Sequence, residues 1–190
     1  MSQLGWKIDL GMCTGCESCT IACKAENNTE PQLSPLPLSD GGFPIHVSYR
    51  WVIYKESGTY PTPRLDFTSM TCHHCKSPAC IKSCPVGAIS KRAGDGIVLI
   101  DYDKCIGCKY CLWACPYGAP QFNKTTKKVE KCTFCVHRID KGLMPACVTT
   151  CVGRALTKVD DFNFSNSGKN APQGFGDPSL TKPAVEFIAK

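Results

Sequence analysis

Sixteen cysteines in a chain of 190 residues fall into four groups: Cys13, Cys16, Cys19 and Cys23; Cys72, Cys75, Cys80 and Cys84; Cys105, Cys108, Cys111 and Cys115; Cys132, Cys135, Cys147 and Cys151. None is left over. The first and third groups share the spacing CxxCxxCxxxC, at which thiolates take up a 4Fe-4S cluster. The second and fourth lengthen only the middle gap, the fourth to eleven residues between Cys135 and Cys147. A CxxC pair bends the backbone around one face of a cube, and a third sulfur can arrive from a loop of adjustable length. The last cysteine of each group follows four positions on, one helical turn away, and points elsewhere.

In two-cluster ferredoxins that fourth cysteine binds the neighbouring cluster, so the groups work in pairs. Cys84-Pro85-Val86-Gly87-Ala88 is echoed by Cys115-Pro116-Tyr117-Gly118-Ala119 and more weakly by Cys151-Val152-Gly153-Arg154-Ala155, which marks one reused unit. A proline after the fourth cysteine ends its helix. Lys24 and Val152 break that rule, and both belong to the groups furthest apart in sequence. The simplest topology therefore nests the pairs, the second with the third inside, the first with the fourth outside. The expected ligand sets are Cys72, Cys75, Cys80 and Cys115; Cys105, Cys108, Cys111 and Cys84; Cys13, Cys16, Cys19 and Cys151; and Cys132, Cys135, Cys147 and Cys23.

Other uses of cysteine fit less well. Disulfide scaffolds belong to short secreted chains, and no leader or twin arginine precedes Cys13. A zinc ribbon could use the long-gapped fourth group alone, but pairing leaves Cys23 in need of that group's other thiolates. A 3Fe-4S site would show a missing ligand, and no position is missing. His73 and His74 sit inside a complete quartet and read as loop or supporting residues. Formal charge is +6, and loading four clusters brings the chain to about −2. The positive residues Lys24, Lys82, Arg92, Lys109, Lys131 and Arg138 lie near cysteines, where they stabilise thiolate. They are dispersed, which argues against a nucleic-acid partner.

Between the cysteine groups the chain reads as α+β: short helices and small antiparallel hairpins in two nested bacterial-ferredoxin-like two-cluster modules. Residues 1–28 and 124–160 form the outer module and 71–123 the inner one, with a strand expected over Gly96–Ile100. Residues 29–70 are an insertion, a loop rich in proline followed by a strand alternating from Ile45 to Ile53, a turn near Gly58 and a return through Leu65 and Phe67. Trp51 is expected in the core. Residues 161–190, rich in Asn, Ser, Gly and Pro with spaced Phe164, Phe175 and Phe187, read as an extended tail laid on a partner. No apolar run approaches the ~18 residues that would cross a bilayer.

The segments KCTFCVHRIDKGLMPA, from Lys131 to Ala146, and CIGCKYCLWACPYGAPQF, from Cys105 to Phe122, closely resemble the iron-sulfur subunits of the dimethyl sulfoxide and polysulfide reductase family. The resemblance implies four 4Fe-4S clusters on all sixteen cysteines and no catalytic site. It implies a molybdenum or tungsten bis-pterin catalytic partner and a membrane partner that handles quinone. It also implies a place at the periphery of a membrane-bound complex, on the cytoplasmic face or exported with a partner. A free-standing polyferredoxin or a cluster-bearing sensor would need an acidic surplus or a recognition module, and neither is visible. Iron analysis of the purified chain should give roughly sixteen atoms per chain; a value near eight would remove two of the four cubes.

Overall fold

The computed structural model describes residues 2–30 and 47–190. The prolines of the insertion loop and the start of its expected strand, Ile45 and His46, lie outside the described residues. In chain order the elements are β1 (Gly5–Asp9), α1 (Ser18–Asn27), β2 (Arg50–Ser57), β3 (Arg64–Thr71), α2 (Ala79–Lys82), β4 (Ile89–Lys91), β5 (Val98–Ile100), α3 (Tyr110–Ala114), β6 (Gln121–Phe122), β7 (Val129–Glu130), α4 (Val136–Ile139), α5 (Ala146–Thr149), β8 (Leu156–Val159), α6 (Pro178–Thr181) and β9 (Val185–Ile188). Phe164–Asn166 adds a single 3-10 turn.

Each cysteine group places its third member on a short helix, α1, α2, α3 or α5. These helices pack in the nested order: α1 against α5, and α2 against α3. After Cys84 and Cys115 the helix stops, because proline brings no amide hydrogen to continue it. The Gly87 N–H then donates to the Cys84 carbonyl at 3.4 Å, and the Gly118 N–H to that of Cys115 at 3.3 Å. Cys151 makes the same turn without a proline, the Arg154 N–H reaching its carbonyl at 3.1 Å. After Cys23, with lysine in place of proline, α1 instead runs on to Asn27. Lys24 is buried, and its Nζ donates to the carbonyls of Val47 and Glu30, both at 2.9 Å.

The hairpin of the insertion forms, but its first strand begins at Arg50 and pairs with β3 from Arg50↔Thr71 to Ser57↔Arg64. Before it, the side chain of Gln121 satisfies the backbone, accepting from the Ser48 N–H at 2.7 Å and donating to the Ser48 carbonyl at 2.9 Å. The alternation does not leave a wet face. Ser48, Arg50, Trp51 and Val52 are all buried, because β2 also packs on α1. The expected strand over Gly96–Ile100 forms as β5, paired antiparallel with β4.

Two features of the structure bear on the expected divisions. The β6–β7 hairpin lies across the division drawn between residues 123 and 124, and Val129 packs with Cys80, Cys105 and Cys111. The tail does not await a partner for its phenylalanines. Strand β9 lies parallel to β1, which also pairs antiparallel with β8, in the order β8-β1-β9. Phe187 is wholly buried in the main core, and Phe175 stacks on Tyr117 with centroids 4.8 Å apart. Composition misled here because only alternate residues of β9 are buried and the rest is turn. Phe187→Ala should destabilise the holoprotein by about 3–5 kcal/mol, read as an earlier thermal loss of its visible absorption. An unchanged melt would return the tail to a partner.

Candidate metal centres

The sixteen cysteines lie in four constellations. One cavity is lined by Cys13, Cys16, Cys19 and Cys151, a second by Cys72, Cys75, Cys80 and Cys115, and a third by Cys84, Cys105, Cys108 and Cys111. Each is lined by four cysteine sulfurs, so one kind of occupant suits all three. Cys23 sits against Cys132, Cys147 and Cys135, whose charges, after burial itself, push its thiol well up. Among the described residues no group of three or more Cys, His, Asp or Glu side chains is placed to hold a single metal ion.

The loops that present the first two sulfurs of each group share a backbone device. The residue before the second cysteine has a left-handed conformation in all four: Gly15 at φ 71°, His74 at 43°, Gly107 at 72° and Phe134 at 58°. That twist turns its N–H back toward the first sulfur. Phe134 N–H donates to Cys132 Sγ at 3.3 Å, and Gly15 and His74 do the same for Cys13 and Cys72. Fourth cysteines also accept amide hydrogens, Cys84 from the Ala88 N–H at 3.2 Å and Cys115 from Ala119, Tyr117 and Gly118. Amide donors of this kind stabilise thiolate and tune a cluster.

Burial works against the thiolates. It pushes Cys75, Cys80 and Cys135 up to about 12 and Cys72 and Cys111 to about 11. Such thiols lose their protons near neutrality only to an occupant that brings positive charge, and binding then releases protons. Several buried polar atoms also lack a partner among the described residues: both ring nitrogens of His73, His74 Nε2, Trp51 Nε1, and Arg50 Nε and Nη2. The two histidines line the Cys72 cavity. The donor set and these orphaned groups fit an iron-sulfur occupant.

The histidines are neutral supports. Burial, then the charge of Arg50, pushes His73 down to about 3, and burial with Lys131 holds His74 well below its usual value. His74 Nδ1 accepts from the Val98 N–H at 2.9 Å, which places its proton on Nε2.

Three residues sit at the junctions, and of these only Lys131 carried a signal in the sequence. Trp6 stacks on Phe134 with centroids 3.9 Å apart and donates through Nε1 to the Cys72 carbonyl at 3.1 Å, so it ties the outer module to the inner. Lys131, noted only for its nearness in sequence, is buried, and its Nζ donates to the carbonyls of Val98 and Cys132. Arg50, which lies in the insertion far from any cysteine in sequence, is buried among sulfurs of the outer module. Arg92, by contrast, pairs with Asp95 and Asp140 at the surface.

These sites and short helices define an α+β protein of ferredoxin type. Residues 63–161 match the family described as the 4Fe-4S dicluster domain. The chain is similar to the B subunit of sulfite dehydrogenase from Allochromatium vinosum, 42% identical over all of this chain and 84% of that protein. It is similar to the B subunit of anaerobic dimethyl sulfoxide reductase from Escherichia coli, 41% identical over 97% of this chain and 87% of that one. The B subunit of selenate reductase from Mesobacillus selenatarsenatis is 37% identical over 97% of this chain and 68% of its own length. The chain belongs to this family of iron-sulfur electron-transfer subunits, and its cofactors are four 4Fe-4S clusters.

Gly107 offers a test of the loops. A Cβ there would stand 2.3 Å from the Lys127 carbonyl oxygen, whereas one at Gly87, also left-handed at φ 62°, would meet nothing within 4 Å. Gly107→Ala should therefore lose roughly four irons per chain while Gly87→Ala keeps them; equal iron in both would show that the close approach to Lys127 does not matter.

Proposed function

We propose that the four constellations are the ligand sets of four clusters in a row, and that the row joins a molybdopterin catalytic subunit to a membrane subunit that handles quinone. The observation that carries this reading is the order of the sites. Cys19 of the first lies in electrostatic reach of Cys147 of the second, and Cys132 of the second in reach of Cys72 of the third. Helices α2 and α3, packed together, span the third and fourth. The row runs from Cys13, Cys16, Cys19 and Cys151 through Cys23, Cys132, Cys135 and Cys147, then Cys72, Cys75, Cys80 and Cys115, to Cys84, Cys105, Cys108 and Cys111.

A 4Fe-4S cluster takes up and releases one electron at a time. The chain's own residues do the rest. Ile97, Phe134, Trp6 and Val98 exclude water from the two middle sites, which lowers the local dielectric and fixes the surroundings. The two end sites come to the surface. Cys16 is exposed, and Met12, Ile21 and Val152 are open to solvent beside its site; Ile106, Tyr110 and Trp113 fringe the other end, Trp113 with 70% of its surface exposed. Exposed apolar groups of this size suit docking to a partner.

The relatives include two reductase subunits and one dehydrogenase subunit, so the wire suits either direction of flow. Among the described residues no helix is long and apolar enough to cross a membrane; the chain is proposed as a peripheral part of a membrane-bound complex, attached through its partners.

Cys23→Ser should share the spectroscopic defect of Cys135→Ser and leave the site that Cys16→Ser damages intact; a defect like that of Cys16→Ser would refute the crossed assignment. Affinity isolation of the tagged chain from native membranes should bring a large molybdopterin protein and a membrane protein with it. If the chain elutes alone, the complex is wrong.

A further inference from the structure

Arg50, the first residue of β2, is 1% exposed. A guanidinium in that position would ordinarily face a carboxylate, since an unpaired buried charge is strongly disfavoured. None pairs with it among the described residues. Nη1 donates to Ser69 Oγ at 2.9 Å, Cζ lies 4.7 Å from the centroid of the Trp6 ring, Nε and Nη2 find no oxygen or nitrogen acceptor among the described residues, and the side chain also donates toward the Cys147 sulfur. Sulfur surrounds it instead: Cys147, Cys132 and Cys23 from the second site of the row and Cys19 from the first. Ser69, which accepts from Arg50, also stands 3.5 Å from Cys19 Sγ.

We propose that Arg50 is a positioning residue for electron transfer, a fixed positive charge shared by the two outer cluster sites that favours the electron-loaded form of both and raises their potentials together. This rests on the ligand sets proposed above. Each electron that arrives at either site adds one negative charge to a dry interior. Guanidinium compensates that charge without gaining or losing a proton, because it stays protonated at any working pH. Its setting on the Trp6 face and its hydrogen bond to Ser69 keep it between the two sites. At the next junction Lys131 lies near Cys72, Cys80 and Cys115; Arg50 also reaches His73 beside Cys72, but the sulfurs around it are those of the outer pair, where its effect is largest.

The test is a redox titration of the holoprotein followed by electron paramagnetic resonance, with iron counted in each sample. Arg50→Gln should move two of the four potentials to more negative values and the other two by much less, and Arg50→Lys should restore them toward the original values. Four unmoved potentials, or four that shift alike, would overturn the proposal. Should Arg50→Gln fail to load its iron, the unsubstituted protein labelled with nitrogen-15 arginine decides: pulsed resonance of the reduced outer sites should show a nitrogen-15 coupling that Arg50→Lys lacks, and no such coupling overturns the proposal. Absence of any 4Fe-4S signal from the unsubstituted protein would overturn the ligand sets and Arg50's role with them, whereas intact signals with unmoved potentials reject Arg50 alone.

Discussion

Sixteen sulfurs gathered in a small chain, nine of them on buried cysteines, must be kept ionised and apart, and every part of the structure answers to that electrostatic constraint. Burial favours the neutral thiol, as the upward shifts of Cys75, Cys80 and Cys135 show. Three kinds of positive counterweight oppose it. The iron of the clusters supplies most of the charge. Amide hydrogens turned inward at Gly15, His74 and Phe134 supply directed dipoles. Buried Arg50 and Lys131 supply whole charges at the places where two sites meet. Surface ion pairs such as Arg92 with Asp140 do little by comparison, since water already screens them.

The same constraint explains the topology. A helix of one turn can hand a sulfur from its own loop to the neighbouring site only if the two loops face each other. Packing of α1 on α5 and of α2 on α3 meets that need for sequence partners that are far apart and close together respectively. Trp6 and Phe134 then fasten the two pairs. With the pairs joined in this way, the middle sites are dry and the end sites reach the surface, which is the arrangement a conductor between two proteins requires.

Much of this was legible in the sequence because iron-sulfur chemistry fixes residue type and spacing together. The cysteine groups, the reused Cys-Pro-x-Gly-Ala turn, the hairpin turning near Gly58 and the burial of Trp51 all follow from local pattern. What was not legible depends on contacts distant in sequence. His74 and Phe134 take a conformation that glycine fills in the other two loops, so the shared twist is hidden by differing residue types. Arg50 looks like the polar residue of an alternating strand until α1 covers that face. In the sequence the tail looks like a segment laid on a partner because its few apolar residues find their own partners on β1, at the opposite end of the chain. Lys24 shows a different limit. A lost proline could mean a distorted turn, and only the run of α1 through Asn27 reveals that the helix simply continues.

The central claim is that the fourth cysteine of each group leaves its own site for the neighbouring one. Diffraction from crystals of the holoprotein at the iron absorption edge addresses it most directly, since anomalous density locates iron without reference to the polypeptide. The account predicts four compact iron peaks in a row, with Cys23 bound to the peak shared by Cys132, Cys135 and Cys147 and Cys84 to the peak of Cys105, Cys108 and Cys111. Peaks each bound by four cysteines of a single group, or fewer than four peaks, would contradict it.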